Sequence, residues 1–223
     1  QECLEHGWVE NVQIFVEDPI TSEEVTALIQ SAPDSVAITL AESHVFNKIS
    51  TTKTTQGIVA VGRLKQHAEF TNEPQFALAL EGIQDPGNLG SILRSAAAFS
   101  VDTVFLSPGT ADAYSPKCLR GGMGAQFRLS IYEDSDLSSV IDEFSGQTIG
   151  SSIVAEKDID SVDFKGPVLL LVGSEGDGLS AALLKKADNV VAIPLANKVE
   201  SLNVGSAVAI LCFHKARLRW AFH

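Results

Sequence analysis

Cysteine is scarce in this chain: Cys3, Cys118 and Cys212 are the three present in 223 residues. They lie far apart, are odd in number and form no CxxC pair, which argues against both a disulfide framework and a zinc cluster. Basic side chains are also in short supply, with 16 Lys and Arg against 28 Asp and Glu and a formal net charge of −12. Affinity for nucleic-acid phosphates rests on Lys and Arg, so strong non-specific RNA binding is not expected. No apolar run approaches the roughly 18 residues of a membrane span. The GxGxxG fingerprint of dinucleotide-binding folds is missing. His6, His44, His67, His214 and His223 fall outside the glycine-rich segments described below, and no Ser-His-Asp or Cys-His set is evident. A soluble protein of a reducing cytoplasm, working without a metal, is the expectation.

What is present is enough apolar content, 45%, for a substantial core in one large domain or two small ones. The acid is unevenly placed. Residues 1–75 carry 4 basic and 11 acidic side chains, and residues 133–165 carry 2 and 9. Residues 76–132 are balanced at 4 and 4, and residues 166–223 carry 6 and 4. A local basic surface from Lys117, Arg120, Arg128, Lys198, Lys215, Arg217 and Arg219 therefore stays open.

Residues 12–16 read as a strand, 21–30 as a helix opened by Thr21-Ser22-Glu23-Glu24, and 36–40 and 56–61 as further strands. These make a small α/β unit over residues 1–65. The chain opens within a segment that reads as helix, 2–7, so this unit is expected to lack its natural start. Residues 66–75 are polar, contain Pro74, and read as a linker. Beyond it strands at 76–80, 103–106, 129–132, 168–172 and 190–193 alternate with helices at 89–99, 137–144 and 201–219. Such alternation predicts an α/β domain over residues 76–223, a mostly parallel sheet with helices on both faces. The final helix is apolar round most of its surface, with Leu202, Ala209, Cys212, Phe213 and Leu218, so one side is expected in the core and another against a partner.

Three segments of this second domain place glycine and polar residues at the end of an apolar strand. In the first, Asp85-Pro86-Gly87-Asn88 is turn chemistry and Asn88 is suited to cap a helix beginning at Leu89. Arg94, six residues on, is placed to return to the loop or to hold a phosphate in its guanidinium fork. Taken alone, a capped helix with a surface arginine is the plainer reading. In the second, Gly173-Ser174-Glu175-Gly176-Asp177-Gly178-Leu179 follows a fully apolar strand, and Glu175 either caps a helix at Leu179 or touches a ligand. In the third, Ile193-Pro194 leads through Glu200 to Ser201-Leu202-Asn203-Val204, where Ser201 and Asn203 open a long helix and capping is the plainer reading. Together the three loops are expected to converge on one crevice at a sheet edge. One Arg, one Glu, one Ser and two Asn suit the orienting of a substrate and its cofactor better than hydrolytic attack.

At these residues the sequence resembles the SpoU (TrmH-like) family of RNA 2′-O-ribose methyltransferases, within the SPOUT class. All three family motifs occur in order across about residues 76–219. The resemblance implies a deep trefoil knot, which rules of unthreaded connection would not have suggested, and a homodimer whose interface helps to form the site. It implies S-adenosylmethionine as cofactor, bound largely by main chain around Gly173, Gly178, Ile193, Leu202 and Asn203. Asn88, Glu175, Ser201 and Asn203 would shape the site and orient the ribose, and Arg94 would be the catalytic side chain. Residues 1–65 resemble the small ribosomal-protein-like RNA-binding domain that often precedes this catalytic domain, which favours ribosomal RNA over tRNA as substrate. Two positions depart from the family pattern: Asn197 where Gly is common, and Gly122 where Ser is usual. A tRNA methyltransferase, a non-catalytic RNA-binding knot protein and an α/β enzyme using another nucleotide are the alternatives.

Overall fold

The fold comes from a computed structural model, which describes residues 9–50, 55–64, 74–197 and 199–220, with side chains as far as Arg217. The expected helix at 2–7 and most of the expected linker lie outside the described residues, as do Cys3, His6, His67, His223 and Lys198. The chain divides into two compact units, residues 1–66 and 67–223.

The first unit runs β1 (Val9–Asp18), α1 (Glu23–Ser31), β2 (Ala37–Glu42), α2 (Ser43–Ile49) and β3 (Ile58–Leu64). β1 is central, paired parallel with β2 and antiparallel with β3. Ser22 caps α1 by accepting a hydrogen bond from the Val25 N–H at 3.3 Å. Glu23 and Glu24 in the first turn complement the positive end of the helix dipole. Ile14 and Val16 on β1 pack against Val25 on α1 as the core. α2 buries Phe46 alone, so no helical periodicity marks it in the sequence.

The second unit runs β4 (Phe76–Glu81), α3 (Pro86–Ala98), β5 (Thr103–Leu106), α4 (Pro116–Gly122), a 3₁₀ turn (Ala125–Phe127), β6 (Ser130–Tyr132), α5 (Leu137–Glu143), β7 (Gln147–Ser151), β8 (Lys157–Asp158), β9 (Val168–Gly173), α6 (Ala181–Lys186), β10 (Asn189–Ala192) and α7 (Val204–Trp220). Its seven strands lie in the order β6-β5-β4-β9-β7-β10-β8, and every neighbouring pair is parallel. Phe76, Leu78 and Leu80 of β4 enter the core on one face with Leu89, Ile92 and Leu93 of α3. Ala77 and Ala79 enter the other with Leu169, Leu171, Ile141 and Leu183. The sheet is thus covered on both sides, which is why β4 and β9 are uninterrupted apolar runs.

Helices α3 and α4 cross closely because Gly90 has no side chain: a Cβ there would lie 2.5 Å from the Cys118 carbonyl oxygen. α7 buries Val204, Val208, Leu211, Cys212 and Ala216, while Ile210 and Phe213 remain 37% and 47% exposed. Lys215 corrects the expected basic surface. It is 4% exposed, and its ammonium donates to the Phe164 and Gly166 carbonyls, each at 2.5 Å, so it clamps the helix to the connection between β8 and β9. Among the described residues no helix is long and apolar enough to cross a membrane, and no group of His, Cys, Asp and Glu is arranged to hold a metal.

Candidate active site

Because β4, β9, β7 and β10 are adjacent and parallel, the loops leaving their carboxyl ends open at one edge of the sheet. Glu81 and Gly173, the last residues of β4 and β9, are register partners. The loop after β4 carries the first motif, that after β9 the second, and the segment after β10 the third.

The first helix begins earlier than expected, and this changes the part played by Asn88. Asp85 is the cap, its Oδ1 accepting from the N–H groups of Gly87 and Asn88 at 2.8 and 2.9 Å, with Pro86 in the first turn. Lys117 of α4 donates to the other Asp85 oxygen at 2.5 Å. The Lys117 hydrogen bond, followed by those from the main chain, lowers the Asp85 pKa below the usual carboxylate value. Asn88 therefore sits inside the first turn with its amide released from capping. That amide donates through Nδ2 to Glu175 and accepts at Oδ1 from Asn203 Nδ2, the second bond at 3.1 Å.

Asn203 is in turn the cap of α7. Its Oδ1 accepts from the N–H groups of Gly205 and Ser206 at 2.9 and 3.4 Å. A single directed chain thus runs from the amino end of α7 through Asn203 and Asn88 to the Glu175 carboxylate. It fixes both amide orientations, because each oxygen faces donors and each nitrogen an acceptor. Among the described residues Glu175 caps no helix; Ser180 caps α6, its Oγ accepting from Leu183 N at 3.4 Å, and its own N–H is bound by Glu81 at 2.7 Å. Ser201 and Leu202 precede α7 instead of opening it, with Ser201 exposed and Leu202 half-buried.

The second loop closes on itself through Gly178 N–H to Ser174 O at 3.1 Å and Asp177 N–H to Ser174 Oγ at 3.2 Å. Gly173 must be glycine here, since a Cβ would lie 2.0 Å from the Gly178 carbonyl group. Beside Gly176 and Gly178 a Cβ would meet nothing within 4 Å, so the outer side of this loop is open to a ligand. Ile193 is half-buried against the main core at the start of the third segment. Asn197 adopts φ 58°, the left-handed conformation its residue type tolerates. Gly122 is buried against Gln126, whose Oε1 would lie 2.4 Å from a Cβ at that position and has no hydrogen-bond partner. The carboxamide thus occupies the space that a serine side chain would need.

Arg94 is exposed and has no hydrogen-bond or ion-pair partner among the described residues. Six residues past Asn88, it stands about 9 Å further along α3 and roughly a third of a turn round it. The structure therefore joins Asn88, Glu175 and Asn203 directly, sets Gly173 and Gly178 in the same loop as Glu175, and leaves Arg94 and Ser201 free for a ligand. Asp85 and Lys117 were missed as site residues; Asp followed by Pro at the first helical position was the available cap signal.

The comparisons with known proteins agree on one family. The model of the SpoU rRNA Methylase family matches residues 75–213. This chain belongs to that family. A tRNA/rRNA methyltransferase of Synechocystis, described as uncharacterized, is 34% identical over 98% of this chain and 77% of its own length. The 23S rRNA (guanosine(2553)-2′-O)-methyltransferase RlmP of Bacillus subtilis is 36% identical over 76% of this chain and 68% of its own. RlmB of Coxiella burnetii, a 23S rRNA (guanosine-2′-O-)-methyltransferase, is 31% identical over 94% and 89%. Among solved structures, the SpoU methyltransferase AviRb of Streptomyces viridochromogenes in complex with AdoMet superposes with a TM-score of 0.86 at 25% identity, over 99% of this chain and 87% of that one.

Proposed function

We infer that this SpoU-family protein transfers the methyl group of S-adenosylmethionine to a ribose 2′-hydroxyl of ribosomal RNA. The observation that carries the reading is the hydrogen-bonded chain Asn203–Asn88–Glu175, which ties all three motif loops together at the sheet edge. The residues fit the cofactor: Gly176 and Gly178 leave open main chain, Gly173 lets the loop close against the strand end, and half-buried Ile193 and Leu202 supply apolar walls. Backbone donors and acceptors of this kind read an adenine edge without side chains. S-adenosylmethionine supplies a methyl group activated on a sulfonium.

The chain's own part is positioning and charge. Arg94 is assigned to the phosphate beside the target ribose, where its guanidinium holds the nucleotide and lowers the cost of removing the 2′-hydroxyl proton. A guanidinium is itself too weak a base at neutral pH, so the phosphate takes part in the deprotonation. Asn88, Glu175, Ser201 and Asn203 orient the ribose. The names of RlmP and RlmB support ribosomal RNA, and make guanosine the first target nucleotide to test. A cytoplasmic setting follows from that substrate.

The trefoil knot is part of the same proposal. Ser151 at the end of β7 and Lys157 at the start of β8 both pair with Val191 of β10, one on each side. Five residues, 152–156, bridge them across the end of β10, which supports passage of the chain leaving β10 beneath that bridge. A homodimer through α7 is supported by the exposed Ile210 and by Phe213, whose ring meets Phe99 edge-on at 5.9 Å. The N-terminal unit is assigned to RNA binding. Calorimetry tests the site: S-adenosylmethionine and S-adenosylhomocysteine should bind and ATP should not, whereas binding of ATP alone would remove the methyltransferase reading.

A further inference from the structure

The N-terminal unit is poor in the charge that RNA binding usually uses, with 4 basic and 9 acidic side chains over residues 1–66. Phosphates would be repelled by such a surface, and a backbone grip is the wrong model for it. The unit nevertheless contains two adjoining cavities, of about 160 and 370 Å³, whose shared walls are Glu17, Thr21, Ser22, Val25, Gln56 and Gly57. They lie where the end of β1, the first turn of α1 and the segment entering β3 meet. Glu17 N–H donates to the Gly57 carbonyl at 2.9 Å, and Gly57 N–H donates to Thr55 Oγ1 at 2.9 Å, which fixes the floor.

The Glu17, Thr21 and Gln56 side chains make no hydrogen bond to another described residue. They offer a carboxylate, a hydroxyl and a carboxamide beside the apolar surface of Val25. An ionised carboxylate accepts and never donates, so its best partner is a pair of neighbouring N–H groups. Among the four RNA bases, guanine presents that pair, N1–H and N2–H₂, on its Watson–Crick edge. A base turned out of a single strand carries no charge and is read by such contacts, so an acidic cavity admits it while excluding the backbone.

We propose that this cavity binds an unpaired guanine of the substrate RNA, with the Glu17 carboxylate on its Watson–Crick edge. The proposal rests on the RNA methyltransferase reading and assigns its N-terminal unit a base-reading role. The test is fluorescence anisotropy of the whole chain with labelled five-nucleotide RNAs: AAGAA, the same with inosine for guanosine, and AAAAA. AAGAA should bind about tenfold more tightly than AAAAA, with inosine between them because it lacks the 2-amino group. Glu17→Gln should erase the preference and Thr21→Val should weaken it. Raising salt from 50 to 200 mM should change the affinity less than about threefold, since backbone contacts would lose far more. Equal binding of AAGAA and AAAAA by the wild-type chain, or a preference that survives Glu17→Gln, would overturn the proposal. Methyl transfer without guanine preference removes the cavity and keeps the enzyme; guanine preference without methyl transfer does the reverse.

Discussion

Asn88 stands within the first turn of α3, three residues past the cap, and that offset decides what its amide does. With Asp85 as cap, both ends of the Asn88 amide are spent across the loops, on Glu175 and Asn203. Asn88→Ala removes two bonds that align three loops while leaving the cap in place. Methyl transfer should fall about 100-fold, the scale of a 1 Å misplacement, with the melting temperature nearly unchanged; steady-state kinetics beside a thermal melt checks both. His214 gives a second residue-scale test. It is 7% exposed, edge-on to Phe164 at 4.7 Å. Burial, and then the Arg217 guanidinium, hold its pKa below the ordinary imidazole value against the opposing pull of Asp160. The unfolded chain therefore takes up this proton at higher pH than the folded protein. The stability associated with neutral His214 is complete above the unfolded value, about pH 6.5, and is lost as pH falls through the folded one. Melting curves between pH 7.5 and 5 should show a steeper loss for the wild type than for His214→Gln; parallel profiles would remove this role.

At the scale of elements, α7 has two kinds of surface. Lys215 faces inward, holding the carbonyls of Phe164 and Gly166. Lys215→Met would leave both without their charged donor and should cost about 3 kcal/mol of stability, measured by denaturant unfolding. Phe213 faces outward at 47% exposure. Phe213→Asp should convert a dimer to a monomer in light scattering after gel filtration, and a wild-type monomer would remove the dimer proposal. The contrast between these elements also explains what could be read in advance. β4 and β9 were legible because burial on both faces makes them continuous apolar runs. β7 was illegible because Thr148 is held by Asp188, its N–H and Oγ1 donating at 2.8 and 2.9 Å, so the strand is partly polar. α2, α4 and α6 have only 7, 7 and 6 residues, too few for a helical period to repeat.

For the whole molecule, alternation of strands and helices foretold a parallel sheet covered on both faces, but not its order. The placing of β9 between β4 and β7 depends on contacts between residues far apart in sequence, and no local pattern encodes them. The same holds at the crevice. Each motif could be read as a helix cap on its own, and Asn88 lies 87 residues from Glu175 and 115 from Asn203. That the three loops converge was expected from their common sheet edge, whereas the bonds that join Asn203, Asn88 and Glu175 appear only in the structure.

Methyl transfer to unmodified ribosomal RNA tests the central claim most directly, using S-adenosylmethionine labelled on the methyl group and nuclease digestion of the product. The account predicts label in a 2′-O-methylnucleoside with the wild-type chain and a loss of at least about 100-fold with Arg94→Ala, whose S-adenosylmethionine binding persists. Label on a base, no transfer at all, or equal rates from the two proteins would contradict it.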